Sequence, residues 1–333
     1  MRYKTWLATP RETAQFLEAS ESDYTLSQTA RFGQAVARAF AEYTYEPRIF
    51  EFSGGQKLLL PLIRIKRRPR FLRCFEAMPF SLNGMPIVAG GALTRLHLVA
   101  ILEWLRPDVL HLNAGGNSAG DWKSAGFDGL LETAQSSSHI LELNDGMDTI
   151  WTRRFSAKVR NQCRSAERKG VDVRVATSKE EFENYYSIYQ AATTERGHQT
   201  ASYPLTLFKE LGTLLGQGVE LKLAYVKGRP IAGIVLFHGR RSTLYWGAAA
   251  FKEFRSYSPH NALLRTAIEE ACARGMTKFD FGASGSLESV KAFKESFGAH
   301  PVYFRNYTFT SSKYQLVTRL KGLIPSRLRH VLK

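Results

Sequence analysis

Residues 219–250 read VELKLAYVKGRPIAGIVLFHGRRSTLYWGAAA, and this stretch decides the fold. Three runs rich in β-branched and aromatic residues, Val219–Val226, Pro230–His238 and Ser242–Ala250, are separated by Lys227-Gly228 and by Gly239-Arg240-Arg241. Such spacing predicts an antiparallel meander with tight turns. Downstream, Ser258 in the N-cap position and Pro259 in the first helical position predict a helix start. Leu263, Leu264, Ala267, Ile268 and Ala271 then share one face, and Gly275 closes the helix. Lys278–Gly282 reads as a short buried strand, Leu287–Phe297 as a helix and Val302–Phe309 as a last strand. The order β-β-β-α-β-α-β predicts an α/β (α+β) fold with a mixed, mainly antiparallel sheet flanked by helices.

The first half carries a fainter copy of that order. Arg48–Ser53, a turn at Gly54-Gly55, Gln56–Arg67 and Arg70–Ala77 read as a strand meander. Leu93–Leu105 reads as a helix and Val109–Ala114 as a buried strand. Leu110–Gly115 then occupies the place that Thr277–Gly282 occupies about 167 residues later, so a duplication is the economical explanation. The join falls near Asn144–Asp148. The expected organisation is an N-terminal domain over 1–146, a C-terminal domain over 147–310 and a tail over 311–333.

The chain has 333 residues, 44% of them apolar, which suits two folded domains and excludes a small module or a disordered chain. Its net charge is +16, and the charge is segmental. Residues 1–150 hold 16 basic and 16 acidic side chains, whereas 151–174 and 311–333 each carry +6. This pattern points to two anion-binding surfaces more than to a general solubility device.

The first basic segment reads as a long helix from Thr149 to Lys169 with an apolar stripe of Phe155, Val159, Cys163 and Ala166. Arg160 and Arg164 are among the cations on its other faces, where phosphates could dock or water could simply solvate them. The tail is basic and amphipathic, with Val317, Leu320 and Ile324 at helical spacing. It suits peripheral contact with an anionic membrane or docking on the protein's own first domain. No apolar run is long enough to span a bilayer, and the N-terminus shows no secretory signal, so a cytoplasmic protein, with the tail at the inner membrane face, is expected. Cys74, Cys163 and Cys272 lie far apart, which indicates neither a disulfide framework nor a zinc site.

Several of these segments together resemble the GNAT acyltransferases, in their FemAB-like branch. They are the meander with Leu244–Ala249, the Ser258-Pro259 helix start, Phe279–Ser284 and Phe293–Gly298. The basic run Lys158–Val171 is similar to the helix that opens the second domain there, and Leu60-Pro61-Leu62 and Met78-Pro79-Phe80 fit the first. The resemblance implies two tandem GNAT-like domains. It also implies transfer of an acyl or aminoacyl group to an amine or hydroxyl of a cell-envelope or polysaccharide precursor, as in peptidoglycan extension. The donor it implies is a co-substrate, acyl-CoA or aminoacyl-tRNA, with no tightly bound cofactor and no metal.

GNAT domains commonly hold the donor's pyrophosphate on a glycine-rich loop at a helix N-terminus, where backbone N–H groups and the helix dipole favour an anion. The matching stretch here is Arg255-Ser256-Tyr257-Ser258-Pro259-His260, followed by Asn261. The arginine and the helix start are kept and both glycines are missing, which weakens the case for acyl-CoA. For the chemistry, His198 is the expected base beside Glu195. Asp280 orients the acceptor or caps a helix, and Lys294 is placed to neutralise a phosphate or a developing oxyanion. Tyr203, Tyr245, Trp246 and Tyr257 are candidates to line the acyl channel. Two readings stand side by side: an acyltransferase or N-acetyltransferase-like enzyme, and a non-catalytic GNAT-fold module that binds RNA or an anionic membrane.

Overall fold

A computed structural model describes residues 2–66, 69–115, 131–195, 202–285 and 287–323. In chain order the elements begin with β1 (Tyr3–Leu7), α1 (Pro10–Ala19), α2 (Ala30–Ala39), β2 (Tyr43–Tyr45), β3 (Arg48–Phe52), β4 (Lys57–Leu60) and β5 (Ile63–Ile65). Next come β6 (Cys74–Ala77), β7 (Ile87–Ala89), α3 (Arg95–Leu105), β8 (Val109–Leu112), β9 (Glu132–Glu142), α4 (Gly146–Thr149), α5 (Ala157–Arg168) and β10 (Asp172–Val175). The remainder is α6 (Glu180–Glu195), α7 (Leu205–Gly212), β11 (Val219–Val226), β12 (Arg229–His238), β13 (Ser242–Ala250), α8 (Pro259–Ala273), β14 (Lys278–Asp280), α9 (Glu288–Glu295), β15 (His300–Thr310) and α10 (Ser312–Leu323).

These elements fall into two units. One holds Ser137–Tyr303 with Asp23–Leu26; the other holds the rest of the chain before Ser137 and the segment from Phe304 onward. In the unit that contains the meander the strand order is β10-β11-β12-β13-β14-β9. Every neighbouring pair is antiparallel except β13 and β14. Helices α5 and α8 cover one face, burying Val159, Cys163, Leu263, Leu264 and Ile268 with Ile234, Leu236, Phe279 and Phe281. On the other face Phe182 and Tyr185 of α6 and Phe208 of α7 are buried. Coverage on both faces explains why β12 reads as a continuous apolar run and not as an alternation. The charged residues of β11 are accommodated as a network: fully buried Lys222 lies 3.0 Å from Glu220 and 2.7 Å from Glu270, so no buried charge is left alone.

The other unit has a sheet of order β15-β8-β6-β5-β2 and a second sheet of order β1-β3-β4-β7. Its core is built from Phe50, Leu58, Leu60, Phe75, Ile101 and Leu110. Here β6 and β8 are parallel and the connection between them contains α3, as β13 and β14 are parallel with α8 between them. The repeated strand-helix-strand unit is therefore present twice, and the overall class is mixed α/β with mainly antiparallel sheets flanked by helices.

Three local expectations need correction. The run 56–67 is two strands, because Pro61 lacks a ladder donor: β4 pairs with β3 and β7, while β5 pairs with β2 and β6 in the other sheet. The long helix over 149–169 is interrupted at Phe155, whose backbone is extended, and α5 restarts with Ser156 accepting from the Val159 N–H at 3.3 Å. Ser258 does precede α8, but its φ of 54° places it in the left-handed region, and its side chain caps nothing.

In the tail, Lys313 Nζ lies 2.8 Å from Asp108 Oδ2, and Leu316 and Leu320 are exposed on α10. No helix among the described residues is long and apolar enough to cross a membrane.

Gly233 of β12 shows how tightly the meander unit is packed. A Cβ there would lie 2.6 Å from a ring carbon of Tyr185 and 2.9 Å from a methyl of Leu223, both buried. Gly233→Ala is expected to destabilise the protein by about 1–3 kcal/mol through overpacking. Gly247→Ala, whose Cβ meets nothing nearer than 3.9 Å, is expected to leave the thermal midpoint unchanged. Equal midpoints for the two variants would contradict this packing.

Candidate active site

The site is built where two parallel strands part. β13 and β14 pair only over Ser242–Leu244 and Lys278–Asp280. Beyond that point β13 stays with β12 as far as Ala250, whereas the chain after Asp280 keeps to β9, with the Phe281 N–H donating to His139 O at 2.8 Å. Gly282, at φ 72°, turns the chain away. A wedge therefore opens between residues 245–250 and 281–284, floored where Gly282 approaches the Tyr245 carbonyl. β13 also carries a bulge: Val235 faces Gly247 and Leu236 faces Tyr245, leaving Trp246 as the extra residue. Bulges re-aim side chains and disrupt pairing, and this one lies beside the wedge.

Two titratable groups meet at its floor. Asp280 ends β14 fully enclosed, and its carboxylate accepts from the Ser138 hydroxyl and from the Gly282 N–H at 2.7 Å. Burial raises its pKa, opposed by those two donors and by Lys294. Lys294 reaches in from α9, with Nζ donating to Gly282 O at 2.7 Å and Ala283 O at 2.9 Å. Burial pulls its pKa down to about 8, against the supporting charge of Asp280. A lysine in this state carries its proton close to the point of release, and two carbonyls fix where that proton sits. The arrangement offers a positioned cation and a titratable carboxylate beside the point where the two strands part.

The other sequence-derived candidates form separate groups. Tyr203 packs on Trp246, with ring centroids 5.0 Å apart, and Trp246 stacks on Phe237 at 5.1 Å, so these two do come together as an aromatic patch on the face of α6 and α7. Tyr245 lies with the α8 core, its ring 6.2 Å from Phe281. Glu195 ends α6 and pairs with Arg255 at 2.6 Å. Tyr257 sits under Lys169 Nζ at 5.7 Å. Pro259 and Asn261 are buried, His260 half-buried, and the Asn261 amide donates to Gln162 at 3.2 Å, tying α8 to α5.

Of the basic helix, Arg160 donates to the carbonyls of Trp151, Thr152 and Phe155, which terminates the preceding helical turn. Arg164 lies over the Trp151 ring at 5.7 Å. His198 lies outside the described residues. Among the described residues, no cluster of His, Cys, Asp and Glu could hold a metal ion.

Ser138 and His139, on β9, were not legible as site residues. Their strand begins with the polar run Glu132–Ser138, which carries little of the apolar pattern by which a strand is recognised. Only their pairing beside β14 brings them to Asp280 and Ser284.

Comparison with known proteins bears on the fold. Residues 153–295 match the family model described as an acetyltransferase (GNAT) domain. Among solved structures, FemX is similar over 95% of this chain and 99% of its own, at 12% identity and a TM-score of 0.72. The C-terminal domain of a putative lysylphosphatidylglycerol synthetase from Agrobacterium fabrum is similar over 96% of this chain and 99% of its own, at 11% identity and a TM-score of 0.55. A tandem GNAT protein from the clavulanic acid biosynthesis pathway is similar over 92% and 97%, at 14% identity and a TM-score of 0.52. No curated protein matches by sequence. Residues 153–295 thus match a GNAT acetyltransferase domain, within a chain whose fold is similar to those of FemX and the tandem GNAT protein.

Proposed function

We propose that the protein is an aminoacyltransferase that takes an aminoacyl group from its ester on tRNA and passes it to an amine of a cell-envelope precursor. The observation that carries this reading is the start of α8. A pyrophosphate cradle needs unpaired N–H groups and close backbone approach. Here residues 252–257 wind as a 3-10 turn, and the Ser258 N–H donates to Arg255 O at 3.0 Å. Pro259 has no N–H, and Asn261 donates back to Ser258 O at 3.1 Å. Arg255 is already paired with Glu195. Such a helix start is a poor match for CoA, while an ester donor asks only that its carbonyl reach the wedge.

In this reading the acceptor amine attacks the ester carbonyl, forming the C–N bond and a tetrahedral oxyanion. Two of the three Lys294 protons are on Gly282 and Ala283, and the third is directed to the oxyanion, which the ammonium stabilises without giving up its proton. Collapse breaks the C–O bond, and the ribose hydroxyl leaves with a proton. The half-buried pair Trp246 and Tyr203 offers an aromatic edge to the terminal base of the donor. The exposed basic residues of α5 and the tail suit the phosphates of tRNA or of a lipid-linked acceptor. Non-catalytic binding of RNA would leave the buried Lys294 and its low pKa without a role.

Two outcomes check this. A charged tRNA at 100 times its dissociation constant is expected to stabilise the protein by about 2.7 kcal/mol in thermal unfolding, and CoA thioesters to give no shift. Stabilisation by CoA alone would overturn the choice of donor.

The second check is the pH profile of transfer. A step that uses the Lys294 ammonium loses rate as pH rises through about 8. Asp280→Asn removes the charge that supports the ammonium, so its alkaline limb is expected at lower pH. Lys294→Met is expected to lose at least about 100-fold in kcat with folding retained. Full activity in Lys294→Met would exclude the role.

A further inference from the structure

We propose that Ser284, His139 and Glu295 form a proton relay that serves the transfer reaction from the β9 side of the wedge. The relay rests on the aminoacyl-transfer reading above and adds the group that takes the acceptor's proton. His139 is fixed by its backbone, whose carbonyl accepts the Phe281 N–H at 2.8 Å, beside the pairing of Ile140 with Asp280. Strand alternation puts its ring on the face opposite Ser138 and Ile140. The ring is 1% exposed, with Nδ1 3.3 Å from Ser284 Oγ and Nε2 3.5 Å from Glu295 Oε1. Ser284 is 6% exposed and lies one residue past Ala283, whose carbonyl holds Lys294. A hydroxyl, an imidazole and a carboxylate thus stand in a row, with the serine at the end next to Ala283 and the half-exposed Glu295 at the other.

The neutral imidazole is the form that can accept a proton. Burial lowers the His139 pKa, and the Lys294 and Lys291 ammonium groups on α9 add to that, while Glu295 opposes them. The buried Asp280 carboxylate, bonded to Ser138, lies on the other face of the strand pair. In the relay Nδ1 accepts from Ser284, which requires the ring proton on Nε2 toward Glu295. On attack, the acceptor nitrogen gives its proton to Ser284 Oγ as the serine proton passes to His139 Nδ1. The resulting imidazolium is held by Glu295. As the C–O bond breaks, the proton returns through Ser284 to the leaving ribose oxygen. No oxidant, metal or further reactant enters, and the protein ends as it began.

The test uses the full-length protein with charged tRNA and acceptor. Ser284→Ala is expected to lower kcat by about 100-fold with KM for the donor unchanged. A loss of less than threefold, or a raised KM with kcat kept, would overturn the relay. Glu295→Gln removes a charge that raises the imidazole pKa, so the acidic limb of the rate profile is expected to move to lower pH; an unmoved limb overturns the role of Glu295.

NMR of the imidazole nitrogens in the unliganded protein decides the geometry without any turnover. It is expected to show the Nε2–H tautomer, with the Nδ1 signal shifted by Ser284→Ala, and an Nδ1–H tautomer overturns the relay. If wild-type protein turns over no charged tRNA while the tautomer and its shift are as stated, the failure lies with the choice of donor and not with the arrangement of the three residues.

Discussion

The feature on which the rest depends is the point at which β13 and β14 stop pairing. Three residue pairs of parallel ladder hold the strands together, and then each follows its other neighbour. Backbone groups released at such a fork need partners, and the partners here are the site itself. Gly282 and Ala283 present their carbonyls to Lys294, and the Gly282 N–H turns back on Asp280. The bulge at Trp246 lies on the strand that leaves the pair. The start of α8 stands at the same end, because only the turn over 252–257 separates it from β13.

The unit tolerates its buried charges by two different means. Around Lys222 the ions satisfy one another: Glu220 also meets Arg274 and lies 3.3 Å from His238, and although burial opposes its ionisation, these partners hold its pKa below the usual range. That cluster is closed, which suits a structural role. Lys294 has two carbonyls and a carboxylate that is not in direct ion-pair contact, so its cation is only partly compensated and its pKa falls. The difference sets Lys294 apart as a partly compensated cation at the candidate site, while Lys222 belongs to a closed ion network.

Much of the meander unit was legible because its signals are local. β11 and β13 have the bounds that turn spacing indicated, and Pro259 marks the helix start. Asp280 and Lys294 were also singled out, the first by its place at the end of a core strand and the second by its Phe-Lys context, and the structure buries both beside Gly282. What was not legible depends on distant pairing. Nothing near Ser138 or His139 in the chain announces Asp280 or Ser284, which lie more than 140 residues away. The same holds for Arg160, whose charge suggested a phosphate contact and whose side chain instead caps a turn. Pro61 divided one expected strand between two sheets, a consequence of the ladder and not of hydropathy.

Hydrogen exchange reads out whether the wedge receives the acylated end of the donor. A 3′-aminoacyl-adenosine carrying a non-hydrolysable linkage in place of the ester is added at saturation, and protection is mapped along the chain. Slowed exchange is expected to concentrate at residues 245–250 and 281–284. Protection confined to the amides at the start of α8, over 255–262, with none at the wedge, would contradict it.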